Sequence, residues 1–190
     1  LGPRIIDRLF SRLPCQVTHV ALPVRQRDLS DERDADVQRI ASAVTSTGCH
    51  LGMIIDDDGQ RCAFVTERGR LVTLGEVARV LIELERKEHH HTRIVSAASL
   101  AGELSEWGRP LGVEVVSGGT TAEAVSITVS ADKARIGLMD DGRIWFGESH
   151  PECDALITLA RLLQALSLSD ASFEEVLARN RRTPVHPVAA

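Results

Sequence analysis

Asp56, Asp57 and Asp58 stand side by side and are followed by Gly59, Gln60 and Arg61. Adjacent carboxylates repel one another unless a cation or hydrogen-bond donors compensate them, and hard divalent ions such as Mg2+ favour oxygen ligands. Two readings stay open at this point: an oxygen-lined Mg2+ loop, or an acidic solvated turn that binds nothing. A Ca2+ loop of the EF-hand kind fits less well. Asp56, Asp58 and Gln60 have its alternation and Glu67 falls at its last position, but the position that needs Gly for a sharp turn holds Arg61. The run His89, His90, His91 reads as a solvated helix end, since consecutive side chains point apart and His suits a helix C-terminus. Cys15, Cys49, Cys62 and Cys153 form no C-x-x-C pair, so reduced and mostly buried thiols are expected rather than a zinc framework.

The acidic loop needs strands to hold it, and the flanking sequence offers them. Residues 51–55 and 62–66 are short apolar runs suited to buried strands, with the acids between them. Upstream, Ile5, Ile6, Leu9, Phe10 and Leu13 fall at helical spacing before Pro14, residues 16–22 alternate like a strand, and the polar stretch 25–34 is expected to be an exposed loop. Val37, Ile40, Ala41 and Val44 mark a helix closed by Gly48.

Downstream, Leu74 to Leu84 carries a strong helical pattern, followed by a strand over 93–97, a helix over 100–107, a strand over 113–116 and a Gly118-Gly119 turn. Residues 134–139 and 143–146 read as a hairpin joined by Asp140, Asp141 and Gly142. Helices over 153–166 and 173–178 close the pattern, and the Pro184–Pro187 tail is expected to be disordered. Alternating strands and helices predict an α/β fold in two units, residues 1–70 and 71–180, with 181–190 as a tail.

With 190 residues, 43% of them hydrophobic, the chain is long enough for one large core or two small ones. A formal net charge of −5 and scattered basic residues argue against a nucleic-acid partner. No apolar run reaches the ~20 residues of a membrane helix, and a cytoplasmic protein is expected. The chain opens at Leu1, inside a helical pattern, and is expected to be a piece of a longer protein.

The stretch Leu51-Gly-Met-Ile-Ile-Asp-Asp-Asp-Gly-Gln-Arg-Cys-Ala-Phe-Val-Thr-Glu-Arg-Gly69 resembles the metal-loop segment of the phosphohexomutases, the phosphoglucomutase/phosphomannomutase family. There a D-G-D-x-D-R loop holds Mg2+ and leads into a strand ending in D/E-x-G. Residues 1–22 and 31–52 resemble the second-domain elements before that loop. Phe146-Gly147-Glu148-Ser149-His150 resembles a shortened form of the third domain's G-E-x-S-G-H sugar motif, and residues 154 onward and 172–177 resemble its closing helices. The resemblance implies three-layer α/β/α units with mixed, mainly parallel sheets. It implies Mg2+ at Asp56, Asp58 and Gln60, phosphate at Arg61, and a hexose phosphate at Glu148, Ser149 and His150. A surface or helix-capping carboxylate is an equal reading for Glu148.

The departures carry as much weight. Gln60 stands where the family's third metal Asp belongs and lowers the ligand charge by one. Asp57 replaces the family's usual Gly, and residues 117–122 hold no lysine where the family carries one. Neither the T-A-S-H-N-P phosphoserine loop nor the R-x-S-G-T-E phosphate loop is present. Phosphoryl transfer rests on positioning and charge compensation, so a chain without the donor serine has no catalytic residue of its own. The expected function is that of a fragment of a phosphoglucomutase/phosphomannomutase-like protein of carbohydrate metabolism, an isomerase moving a phosphoryl group within a hexose phosphate, that is inactive as this chain. The alternative is a divergent non-catalytic paralogue that uses the scaffold for sugar-phosphate sensing or assembly.

Overall fold

The computed structural model describes residues 3–11, 15–25, 27–89, 91–147 and 153–181. A helix α1 (Pro3–Phe10) precedes α2 (Ala35–Thr47), which Asp34 caps by accepting the Asp36 N–H and which ends at Gly48, left-handed at φ 68°. Strands β1 (Leu51–Ile55) and β2 (Cys62–Thr66) then pair antiparallel in register Leu51 to Thr66 through Ile55 to Cys62. A two-residue strand β3 (Leu71–Val72) completes the sheet in the order β1-β2-β3.

Helix α3 (Leu74–Glu88) opens with a capping box between Thr73 and Glu76. Strand β4 (Thr92–Ser96), helix α4 (Ala98–Gly108), strand β5 (Val113–Ser117), helix α5 (Ala122–Ala131), strand β6 (Ile136–Leu138) and strand β7 (Ile144–Phe146) follow. They build a mixed sheet in the order β5-β4-β6-β7, with β4 parallel to β5 and β6 and the β6–β7 hairpin antiparallel. Helix α6 (Ala155–Ser167), capped by Asp154, and helix α7 (Phe173–Arg181) end the described chain. The architecture is α/β, with a mixed and mostly parallel second sheet, whereas the first sheet is wholly antiparallel.

Strand β2 is buried on both faces. Cys62 and Phe64 enter the main core with Ala78, Leu81 and Ile82 of α3 and with Ile94, Ile136 and Ile144 of the second sheet. Ala63 and Val65 face the other way, into a small core with Val37, Ile40 and Val44 of α2. Beyond the second sheet, Val125 and Val129 of α5 cover Val95 and Trp145. Gly52 sits where a Cβ would meet Val44 Cγ2 at 2.6 Å, so α2 lies directly against the β1 backbone.

Residues 16–22 form no strand, because the described residues provide no ladder partner for them; they run as exposed to half-buried coil, with Val20 and Leu22 leaning on the small core. The polar stretch 25–34 is not simply exposed, since Arg27 and Leu29 are buried within it. The first helix stops at Phe10, short of the expected Leu13. Residues 12–14 and the 182–190 tail lie outside the described residues. Of the cysteines, Cys62 and Cys153 are buried while Cys15 is exposed, and burial pushes the Cys62 thiol up to about 12.

Candidate functional site

The loop that joins β1 to β2 closes on itself. Asp56 N–H donates to the Arg61 carbonyl at 3.0 Å, Gly59 N–H donates to the Asp56 carbonyl at 2.9 Å, and Gly59 takes φ 73°, which favours glycine. The second sheet holds it from outside. Arg61 bridges Arg143, Cys62 N–H donates to the Gly142 carbonyl at 3.3 Å, and Ala155 N–H, at the start of α6, donates to the Gly59 carbonyl at 2.9 Å.

Asp56 is 5% exposed, and each of its carboxylate oxygens faces a guanidinium. Arg61 pairs with Oδ2, and Arg27 stands 4.0 Å from Oδ1. Arg27 is itself locked, donating to Asp36 at 3.1 Å and to the Pro23 carbonyl at 2.5 Å. Arg25 extends the chain of charges to Asp36 at 2.8 Å and to Asp34, whose carboxyl its hydrogen bonds hold below the usual range. Asp58 accepts the Gln60 backbone N–H at 2.9 Å with one oxygen and lies 3.6 Å from Arg143 with the other. Gln60 Oε1 accepts from Arg143 Nε at 3.2 Å and from the Cys153 thiol at 3.6 Å. Arg143 also pairs with Asp141.

This arrangement does not fit Mg2+. Every side-chain oxygen of Asp56, Asp58 and Gln60 faces a donor, and three guanidinium groups supply the positive charge that an ion would bring. The buried polar atom left without a partner at this loop is a donor, Arg61 Nε, whereas a cation site would leave acceptors unpartnered. Asp57 is exposed and contributes no third carboxylate to a cluster.

The expected site residues thus fall into two groups, Asp56 with Arg61 and Asp58 with Gln60, and the described residues join neither to a sugar site. Glu148, Ser149 and His150 lie outside the described residues. The Gly118-Gly119 turn, where the resemblance leads one to expect the family's lysine loop, packs on α4 through the Gly119 carbonyl, which accepts the Ala98 N–H at 3.0 Å. Sequence reasoning missed Arg27 and Arg143. Arg143 was readable in principle, since it follows the Asp141-Gly142 turn and opens the strand opposite, but only tertiary pairing puts it beside Gln60.

Among the described residues, a group of three potential ligands within 4.8 Å occurs elsewhere, at Glu85, Glu88 and His89 at the end of α3. Arg135 donates to Glu85 at 3.0 Å and contacts His89, and Arg161 stands 3.7 Å from Glu85. His89 is therefore half-buried and paired rather than a solvated helix end; His91 is exposed, and His90 lies outside the described residues.

Two α/β sheets in series, with an acidic hairpin loop at the end of the first, define a phosphohexomutase-like fold. The solved structures that share it include a protein described as a phosphomannomutase from Thermus thermophilus, with TM-score 0.71 and 18% identity over 77% of this chain and 34% of that one. A phosphoglucomutase/phosphomannomutase family protein from Burkholderia thailandensis matches at TM-score 0.70 and 21% identity over 83% of this chain and 33% of that one. The phosphoglucomutase parafusin from Paramecium matches at TM-score 0.60 and 13% identity, over 76% and 27%. This chain spans about a third of the length of those proteins. No family model matches the sequence, and no curated protein matches it. Among the described residues no helix is long and apolar enough to cross a membrane.

Proposed function

We propose that this chain is a phosphohexomutase-type scaffold, part of a protein that engages hexose phosphates, and that by itself it does not convert them. Residues 1–70 close one unit of that scaffold and residues 71–180 form the next. The observation that carries this reading is the shared fold, over 77% to 83% of the chain, combined with an acidic loop in which the side-chain oxygens of Asp56, Asp58 and Gln60 are engaged by the chain's own donors.

That second element favours the sensing or assembly role over a merely interrupted enzyme. Phosphoryl transfer needs positive charge free to follow the moving phosphoryl group. Here Arg61 is committed to Asp56, and Arg143 to Asp58, Asp141 and Gln60. Incubation of the chain with glucose 1-phosphate and Mg2+ is expected to yield no glucose 6-phosphate; measurable product would overturn the reading. Calorimetric titration with the same sugar phosphate separates the two roles. Saturable heat without turnover supports sensing, while silence leaves only an assembly role.

A further inference from the structure

The acidic loop has the outline of a cation site and the contents of an ion-pair network. We infer that Arg27 and Arg61 stand in for the divalent cation, making this a metal-independent loop whose charge is balanced from inside the chain. The inference rests on the phosphohexomutase-like reading, because the fold relates the loop to one expected to hold Mg2+.

The burial of the cations is what sets this loop apart from an ordinary surface salt bridge. The Arg27 side chain is 2% exposed, which places a full positive charge beneath the small core and aims it at Asp36 and Asp56 together. A guanidinium enters such a place only where acceptors meet it, and here two carboxylates and the Pro23 carbonyl do so. Arg61 closes the other side of Asp56, with its side chain 20% exposed. Asp56 thus loses nothing when no ion is present, since its charge is matched on both oxygens.

The substitutions in the loop agree. Gln60 supplies one negative charge fewer than an aspartate, and its amide oxygen accepts from Arg143 instead. An arriving divalent ion would meet three guanidinium groups and would have to expel at least the Arg61 group before touching Asp56. Repulsion between like charges and the burial of Arg27 oppose that exchange.

Calorimetric titration of the chain with Mg2+ and with Mn2+, together with melting temperatures in EDTA and in excess Mg2+, tests the inference. The chain is expected to give no saturable heat and the same melting temperature in both conditions. Saturable binding that Asp56→Asn abolishes would overturn it. Asp56→Asn strips Arg61 of its carboxylate and leaves buried Arg27 with Asp36 and the Pro23 carbonyl alone, and its melting temperature is expected to fall by about 10 °C, equally with and without Mg2+. A fall seen only in Mg2+ would instead mark Asp56 as a metal ligand. Should Asp56→Asn not fold, Arg61→Gln serves, since it uncovers one oxygen of Asp56. Its melting temperature is expected to become Mg2+-dependent, rising by about 3 °C in excess ion. Indifference of Arg61→Gln to Mg2+ would show that the guanidinium does not occupy a cation's place. Glucose 1-phosphate turnover by the parent chain in EDTA would sink the functional reading while leaving this one standing, and Mg2+ binding without turnover would do the reverse.

Discussion

The antiparallel sheet β1-β2-β3 and the mixed sheet β5-β4-β6-β7 lean on one shared core, but their remaining faces are filled differently. Over the second sheet, α5 lays Val125 and Val129 on Val95 and Trp145, an apolar contact throughout. Over the first, α2 lays Val37, Ile40 and Val44 on Ile54 and Val65, yet Arg27, Asp36 and Asp56 are buried beside that patch. Buried ion pairs seldom add stability compared with apolar packing, so their presence beside the α2 contact and not within the α5 contact points to a constraint on the loop rather than on packing there. The α5 contact shows what this chain does where only packing matters.

The sharpest way to break the comparison is at the joint. Phe64 is fully buried in the shared core, and Phe64→Ala is expected to cost about 4 kcal/mol, removing both regions in one urea transition. Two separate transitions would show that the regions hold themselves up independently. Next comes the charge. Arg27→Met leaves Asp36 and Asp56 underpaired in a buried place and is expected to cost about 3 kcal/mol in the same transition.

Packing over the first sheet is tested by Gly52→Ala. The new methyl would press on Val44 and Ile40, and a loss of about 2 kcal/mol is expected by thermal melting.

Acid probes the seam between the regions. Burial alone would raise the Glu76 carboxyl, but hydrogen bonds from Arg70, the Thr73 N–H and Arg181 outweigh it and hold it at about 2 rather than 4.5. Because the folded value is the lower one, this contribution is fully present above pH 4.5 and is lost as pH falls from 4.5 towards 2. Glu76→Gln is expected to flatten the pH dependence of the melting temperature in that range. The smallest effect belongs to Gly102 in α4, where a methyl meets nothing within 4 Å; Gly102→Ala is expected to stabilise by up to about 1 kcal/mol.

The sequence made the two regions unequally legible. Strands β1 and β2 stand where the apolar runs place them, residue for residue, because both ends are marked by charged or turn-forming neighbours. The β6–β7 hairpin followed from Asp141-Gly142, and α3 and α6 from their periodicity. Helix α5 was not located, since Val125, Ile127, Thr128 and Val129 are β-branched and carry little helical amphipathicity. The alternation over 16–22 looked like a strand because period-two patterning says nothing about whether a partner is available. The site was legible only in half: the acids announce themselves by adjacency, but their arginine partners come from 29 residues before Asp56, at Arg27, and from the hairpin of the other sheet, at Arg143. Pairing across such separations leaves no local mark.

The clasp of the β6–β7 hairpin and the start of α6 on the acidic loop has a mechanical consequence. Because the Gly142 carbonyl, Arg143 and the Ala155 N–H all grip the β1–β2 turn, any hinge-like swivel between the sheets would first have to tear three attachments at a single point. The loop acts as a rivet, and torque applied to either half is passed to the other instead of being absorbed between them.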